Sequence, residues 1–121
     1  MAREKDADRD HRIHDEIIVD AYGDEEQAMG WYIHMNDNLA FPMQAQVKLR
    51  LRGGKTEEKA VQIVEVDPKS ETSLTLRLGM TEGKSDRVQY TSPEDIVSIQ
   101  TTDENLEILN DWLYWSGHPL L

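Results

Sequence analysis

The apolar positions along this chain change period twice, and each change marks a boundary between structural types. Ile13, Ile17 and Ile18 fall at helical spacing and predict a helix over about residues 11–22, with Asp15, Glu16 and Asp20 mostly on its other faces. Gly23 is a suitable stop. Asp24-Glu25-Glu26-Gln27 then reads as a second helix start, Asp24 as N-cap and Gln27 at the capping-box position. Ala28, Trp31, Tyr32, Met35 and Leu39 form its apolar stripe, and Pro42 ends it.

Beyond Pro42 the period becomes two. Ala45, Val47, Leu49 and Leu51 alternate with Gln44, Gln46, Lys48, Arg50 and Arg52, the pattern of a half-buried strand. Gly53-Gly54-Lys55 turns the chain into a second strand at 59–66, closed by Asp67-Pro68. Leu74, Leu76, Leu78 and Met80 predict a third strand, Arg87 to Thr91 a fourth, and Ile96 to Gln100 a fifth. Ser92-Pro93-Glu94-Asp95 predicts a short turn of 3₁₀ type between the last two. The helical period returns after Thr102. This residue is an N-cap signal, followed by acids in the first turn and by Leu106, Leu109 and Leu113 on one face. Trp112 and Trp115 add apolar area there.

The expected fold class is therefore α+β: a small five-stranded, SH3-like antiparallel barrel or sheet, flanked by two N-terminal helices and one C-terminal helix. Residues 1–10 mix acids and bases with almost nothing apolar and are expected to form a disordered arm. Residues 11–121 are expected to form a single domain.

Charge refines the picture. The formal net charge is −11, from 24 acids against 13 bases. That sign disfavours nucleic-acid backbones and anionic membrane surfaces as partners. Residues 13–47 contain seven acids and no Lys or Arg, and residues 88–121 contain six acids and again no base. The bases lie in residues 1–12 and 48–87. There is no cysteine, which excludes disulfides, Cys-based zinc sites and thiol nucleophiles. No apolar run is long enough to span a membrane, and the charged opening is unlike a signal sequence, so the expected location is cytoplasmic.

Enzymatic chemistry finds little purchase. His11, His14, His34 and His118 are scattered, no serine sits in an elbow-like glycine context, and no glycine-rich phosphate loop is present. Paired carboxylates of the glycosidase kind need a cleft that the sequence does not announce. His11 and His14 are three apart, but near a terminus.

The acids point instead to a hard cation. Ca²⁺ takes about 6–8 oxygen ligands from carboxylates, carbonyls and amides. No EF-hand loop is present. Asp24, Glu25 and Glu26, like Asp103 and Glu104, are explained by helix N-termini, where negative charge is stabilised. Glu65 and Asp67, at a strand end, are explained by a turn. Asp37 is different. It falls at the C-terminal end of the second helix between Asn36 and Asn38, where an acid costs roughly 0.3–1 kcal/mol unless a cation answers it. Helix-end carbonyls, the Asp37 carboxylate and the Asn38 amide are all hard oxygen donors. Asp20 repeats the pattern at the end of the first helix, with Glu16 one turn before it. The metal candidates are thus Asp37, Asn38, Asp20 and Glu16. A second reading needs no metal and takes the chain as an acidic, SH3-like interaction module that docks a basic protein partner.

Three blocks carry a family resemblance. They are Glu16-Ile17-Ile18-Val19-Asp20-Ala21-Tyr22, Glu25 through Tyr32, and Asp37-Asn38-Leu39-Ala40-Phe41-Pro42; Asp111-Trp112-Leu113-Tyr114-Trp115 adds a fourth, shorter one. Together they resemble the small cyanobacterial calcium-binding protein family (CcbP-like), whose members are acidic, non-EF-hand proteins implicated in calcium buffering or signalling. The resemblance implies Ca²⁺ as the bound ion and a central role for Asp37. The Lys/Arg-bearing middle strands depart from it by being less acidic.

Overall fold

The computed structural model describes residues 6–19, 21–72 and 76–121. Helix α1 (Ala7–Arg12) runs directly into a π-helical turn (Ile13–Ile17), in which the Ile18 N–H donates to the Ile13 carbonyl at 3.0 Å. Helix α2 spans Asp24–Asn38 and α3 spans Asp103–Trp115. Between them lie five strands: β1 (Met43–Arg50), β2 (Thr56–Val66), β3 (Leu78–Thr81), β4 (Gln89–Thr91) and β5 (Ile96–Gln100). They form one antiparallel sheet in the order β4-β3-β2-β1-β5. This is the expected α+β architecture. Among the described residues no β4–β5 pairing closes the sheet into a barrel, so of the two expected forms it is the open one.

The alternation of β1 puts Met43, Ala45 and Val47 inside and Gln44, Gln46 and Lys48 outside. Strand β2 buries Val61 and Ile63 and then, after a register shift between Ile63 and Glu65, Val66. The bulge rephases the strand and sends Val66 rather than Glu65 into the core. Four sequence expectations are corrected. Strand β1 ends at Arg50, and Leu51 is 46% exposed, because the chain turns at Arg52–Gly54, closed by the Leu51 N–H on the Lys55 carbonyl at 2.7 Å. The third strand begins at Leu78: Leu76 is buried but outside it, and Leu74 lies outside the described residues. Gly23, extended, takes the N-cap position of α2 in place of Asp24. There Glu26 reaches back to the Tyr22 N–H at 3.0 Å, the role expected of Gln27. Finally, the chain is helical from Ala7, within the stretch expected to be a disordered arm.

That last difference has a physical cause. Asp6 caps α1 by accepting the Arg9 N–H at 3.0 Å, and Arg9 and Arg12 reach across to α3, where they meet Asp111. The core beneath is continuous. Ile13 and Ile17 pack with Trp31 and Met35 of α2, with Leu109, Trp112 and Leu113 of α3, and with the inner face of the sheet. Trp31 meets Trp112 edge-on at 5.3 Å between ring centroids, and Trp115 tilts against both at 5.5 Å. The three tryptophans therefore pack the helices, as their helical spacing predicts. None of the described helices is long and apolar enough to cross a membrane.

Candidate metal centre

The end of α2 is fixed from three sides. The Leu39 N–H donates to the Met35 carbonyl at 2.9 Å, closing the last turn. The Ala40 N–H does not continue the helix. It donates instead to Asn105 Oδ1 at 2.9 Å, while Asn105 Nδ2 donates to the Ala40 carbonyl at 2.8 Å and to Thr101 Oγ1 at 2.8 Å. Asn105, buried at the start of α3, thus holds both backbone groups of Ala40 and diverts the chain. Asn38 Nδ2 donates to the His34 carbonyl at 2.8 Å, leaving its Oδ1 as an acceptor.

The consequence is a helix end with spare oxygen. The Asn36, Asp37 and Asn38 carbonyls accept no hydrogen bond from beyond the helix among the described residues. The Asp37 carboxylate stands exposed beside them, and the last turn holds no basic residue. The sequence expectation is narrowed in one respect: the His34 and Met35 carbonyls are already satisfied and are not spare.

Glu16 is exposed on the π-helical turn that packs against α2. The approach there is close. A β-carbon on Gly30 would sit 2.5 Å from the Ile17 carbonyl oxygen, so only glycine lets α2 lie this near the turn. His34 reports the electrostatics between the two segments. Burial holds its imidazole below the usual histidine value, against the pull of Asp111, Glu16 and Asp37. Asp20 lies outside the described residues. No three His, Asp or Glu side chains among the described residues already converge as a ligand set.

Several other acids have structural partners. His11 Nε2 sits 2.8 Å from Asp15 Oδ2, an exposed pair that does not include His14. Asp67 is buried, and its Oδ1 accepts the Lys69 N–H at 3.0 Å in an Asx turn. Glu65 accepts from the Tyr90 hydroxyl at 3.4 Å.

Sequence reasoning missed Asp111 and Asn105. Asp111 is 1% exposed and receives Arg9 Nη1 at 2.6 Å, Arg12 Nε at 2.9 Å and Arg12 Nη2 at 2.6 Å. The Arg12 guanidinium is held well above its usual value, mainly by this bond to Asp111. A signal was present: Ile108, Tyr114 and Trp115, three or four positions away, put Asp111 on an apolar face of the helix, where an acid requires a partner.

The fold built on this open five-stranded sheet recurs in known proteins. The sequence model of the CcbP family, described as "Calcium binding", matches residues 11–116. The chain belongs to this calcium-binding family. The crystal structure of Anabaena CcbP is similar over 98% of this chain and 98% of that one, at 36% identity and a TM-score of 0.87. A structure of a calcium binding protein in the calcium-binding form covers 99% of this chain and 100% of its own, at 38% identity and a TM-score of 0.80. No curated protein sequence matches the chain. The CcbP family's ion, Ca²⁺, suits the donors at the end of α2: carboxylate, amide and carbonyl oxygens, with no thiolate anywhere in the chain.

Proposed function

We propose that this chain is a cytoplasmic, non-enzymatic Ca²⁺ buffer or sensor. Its principal site lies at the C-terminal end of α2, with Asp37 and Asn38 as side-chain ligands, assisted by the spare helix-end carbonyls and by Glu16 and Asp20 from the preceding segment. The observation that carries this reading is the pairing of an acid with solvent-facing helix-end carbonyls in a helix turn without Lys or Arg. A cation there removes the dipole penalty on Asp37 and satisfies several oxygens at once. Family membership supports Ca²⁺ as the ion. Exposure of Asp37 and Glu16 supports adjustment of the side chains around the ion, which suits the flexible coordination of calcium.

Thermal unfolding with and without Ca²⁺ tests the reading. Binding to the folded state alone raises stability by about 2.7 kcal/mol at a hundredfold excess over Kd. The midpoint rises with Ca²⁺ and returns with chelator, and the gain shrinks as pH falls toward the carboxylate range, because the ligands must be ionised. A midpoint indifferent to millimolar Ca²⁺ overturns the proposal. Emission from the cluster of Trp31, Trp112 and Trp115 separates the two roles: a sensor changes it on binding and a buffer does not.

A further inference from the structure

The bases of this acidic chain are not spread evenly over the sheet. Lys48 and Arg50 alternate on the outward side of β1. A cleft of about 320 Å³ joins them to Arg77, Tyr90, Ser92 and Asp95, between the end of β1 and the strand–turn segment that links β4 to β5. It lies where a closed barrel would have its seam. Its lining holds three cations and one carboxylate, with Glu65 at its margin on the Tyr90 hydroxyl and Glu58 opposite Lys48, so the lining itself is net positive within a chain of net charge −11.

The cations are only loosely answered. Arg50 Nη2 reaches Asp95 Oδ1 at 3.5 Å while its side chain stays 77% exposed. Lys48 faces Glu58 across the β1–β2 pair but makes no ion pair within 4.0 Å among the described residues, and neither does Arg77. The Arg77 guanidinium lies over the Tyr90 ring at 5.8 Å, which orients it without neutralising it.

We propose that this cleft docks an extended acidic peptide segment of a partner protein. Charge complementarity selects the occupant, and strand geometry sets its pattern. Lys48 and Arg50 are two residues apart, so their side chains leave the strand about 7 Å apart, the spacing of carboxylates at alternate positions of an extended chain. A nucleic acid fits less well, because its affinity is built from about 6–10 phosphate contacts and the cleft offers three cations. A second copy of this chain brings a net charge of −11 against the same net charge and is repelled more strongly than a short segment that carries only a few acids to the local cations. The site is separate from the end of α2 and does not rest on calcium.

The test is fluorescence polarisation of a labelled peptide of alternating Glu and Ser, in low salt with chelator present. The wild type binds, and added salt weakens the binding as the Debye length shortens. Lys48→Glu with Arg77→Glu weakens it by about tenfold or more, whereas Lys84→Glu with Arg87→Glu, an equal change of net charge outside the cleft, does much less. Circular dichroism verifies folding; if the first pair unfolds, Lys48→Gln with Arg77→Gln is read in its place. No polarisation change for the wild type overturns the proposal. So does equal loss in both charge-reversed pairs, or tighter binding of an oligonucleotide of similar charge.

Discussion

Arg12 grips Asp111 with two hydrogen bonds, Nε to Oδ2 at 2.9 Å and Nη2 to Oδ1 at 2.6 Å, and so ties the N-terminal helix to the C-terminal one. The same guanidinium also reaches Glu107 on α3, and Arg9 adds a third bond to the Asp111 carboxylate. A nearly inaccessible carboxylate is thereby fully answered. Breaking a buried pair from one side costs roughly 3–5 kcal/mol, because the remaining charge is stranded. For Asp111→Ala the expected loss is at the lower end, about 3 kcal/mol, since the Arg12 side chain is 30% exposed and recovers water. Arg12→Met costs less, because Arg9 still answers the carboxylate. Urea unfolding midpoints measure both, and a loss below about 1 kcal/mol for Asp111→Ala contradicts the assignment.

Gly30→Ala sets two effects against each other. Alanine gains about 1 kcal/mol of helix propensity over glycine. Its β-carbon, however, meets the Ile17 carbonyl at a distance no packed structure tolerates, and the obstacle is backbone. Overpacking costs of about 1–3 kcal/mol outweigh the gain. The expected outcome is a net loss of stability together with weaker Ca²⁺ binding, because α2 is pushed from the turn that carries Glu16. Chemical denaturation and a calcium titration of the same variant check both halves.

Tyr90 supplies a pH-dependent observable at the cleft. Partial desolvation, then the charges of Glu65 and Asp67, raise its phenol above the ordinary value of 10.0. The unfolded phenol therefore ionises first. Between the two values the unfolded chain holds fewer protons than the folded one, so this group's contribution to stability falls as pH rises through that window. Phenolate absorbance, taken as the difference between wild type and Tyr90→Phe, shows the late titration. Glu65→Gln moves it back toward 10.0.

Much of this fold was legible from periodicity alone. Strand β5 and its preceding turn, the Thr102 cap of α3 and the inward residues of β1 follow directly from spacing and turn chemistry. What escaped was held by partners far apart in sequence. The six residues of α1 are too short to stand alone, and they are secured by Arg9, Arg12 and Asp10 against Asp111 and Tyr114, about a hundred positions away. A mixed-charge stretch reads as disorder until those partners are placed. The candidate site divided in the same way. Asp37 could be singled out because an acid at a helix C-terminus is a local conflict. Asn105 could not, because what it does to the Ala40 backbone depends on the packing of α3 beside the end of α2.

The central claim is that the end of α2 holds calcium. Isothermal titration with Ca²⁺ of the wild type and of Asp37→Asn tests it most directly, because the substitution keeps shape and removes only the charge. The expected result is saturable binding by the wild type and a loss of about tenfold or more in the variant, or ~1.4 kcal/mol. No heat from the wild type at millimolar Ca²⁺, or identical isotherms for the two proteins, would contradict it.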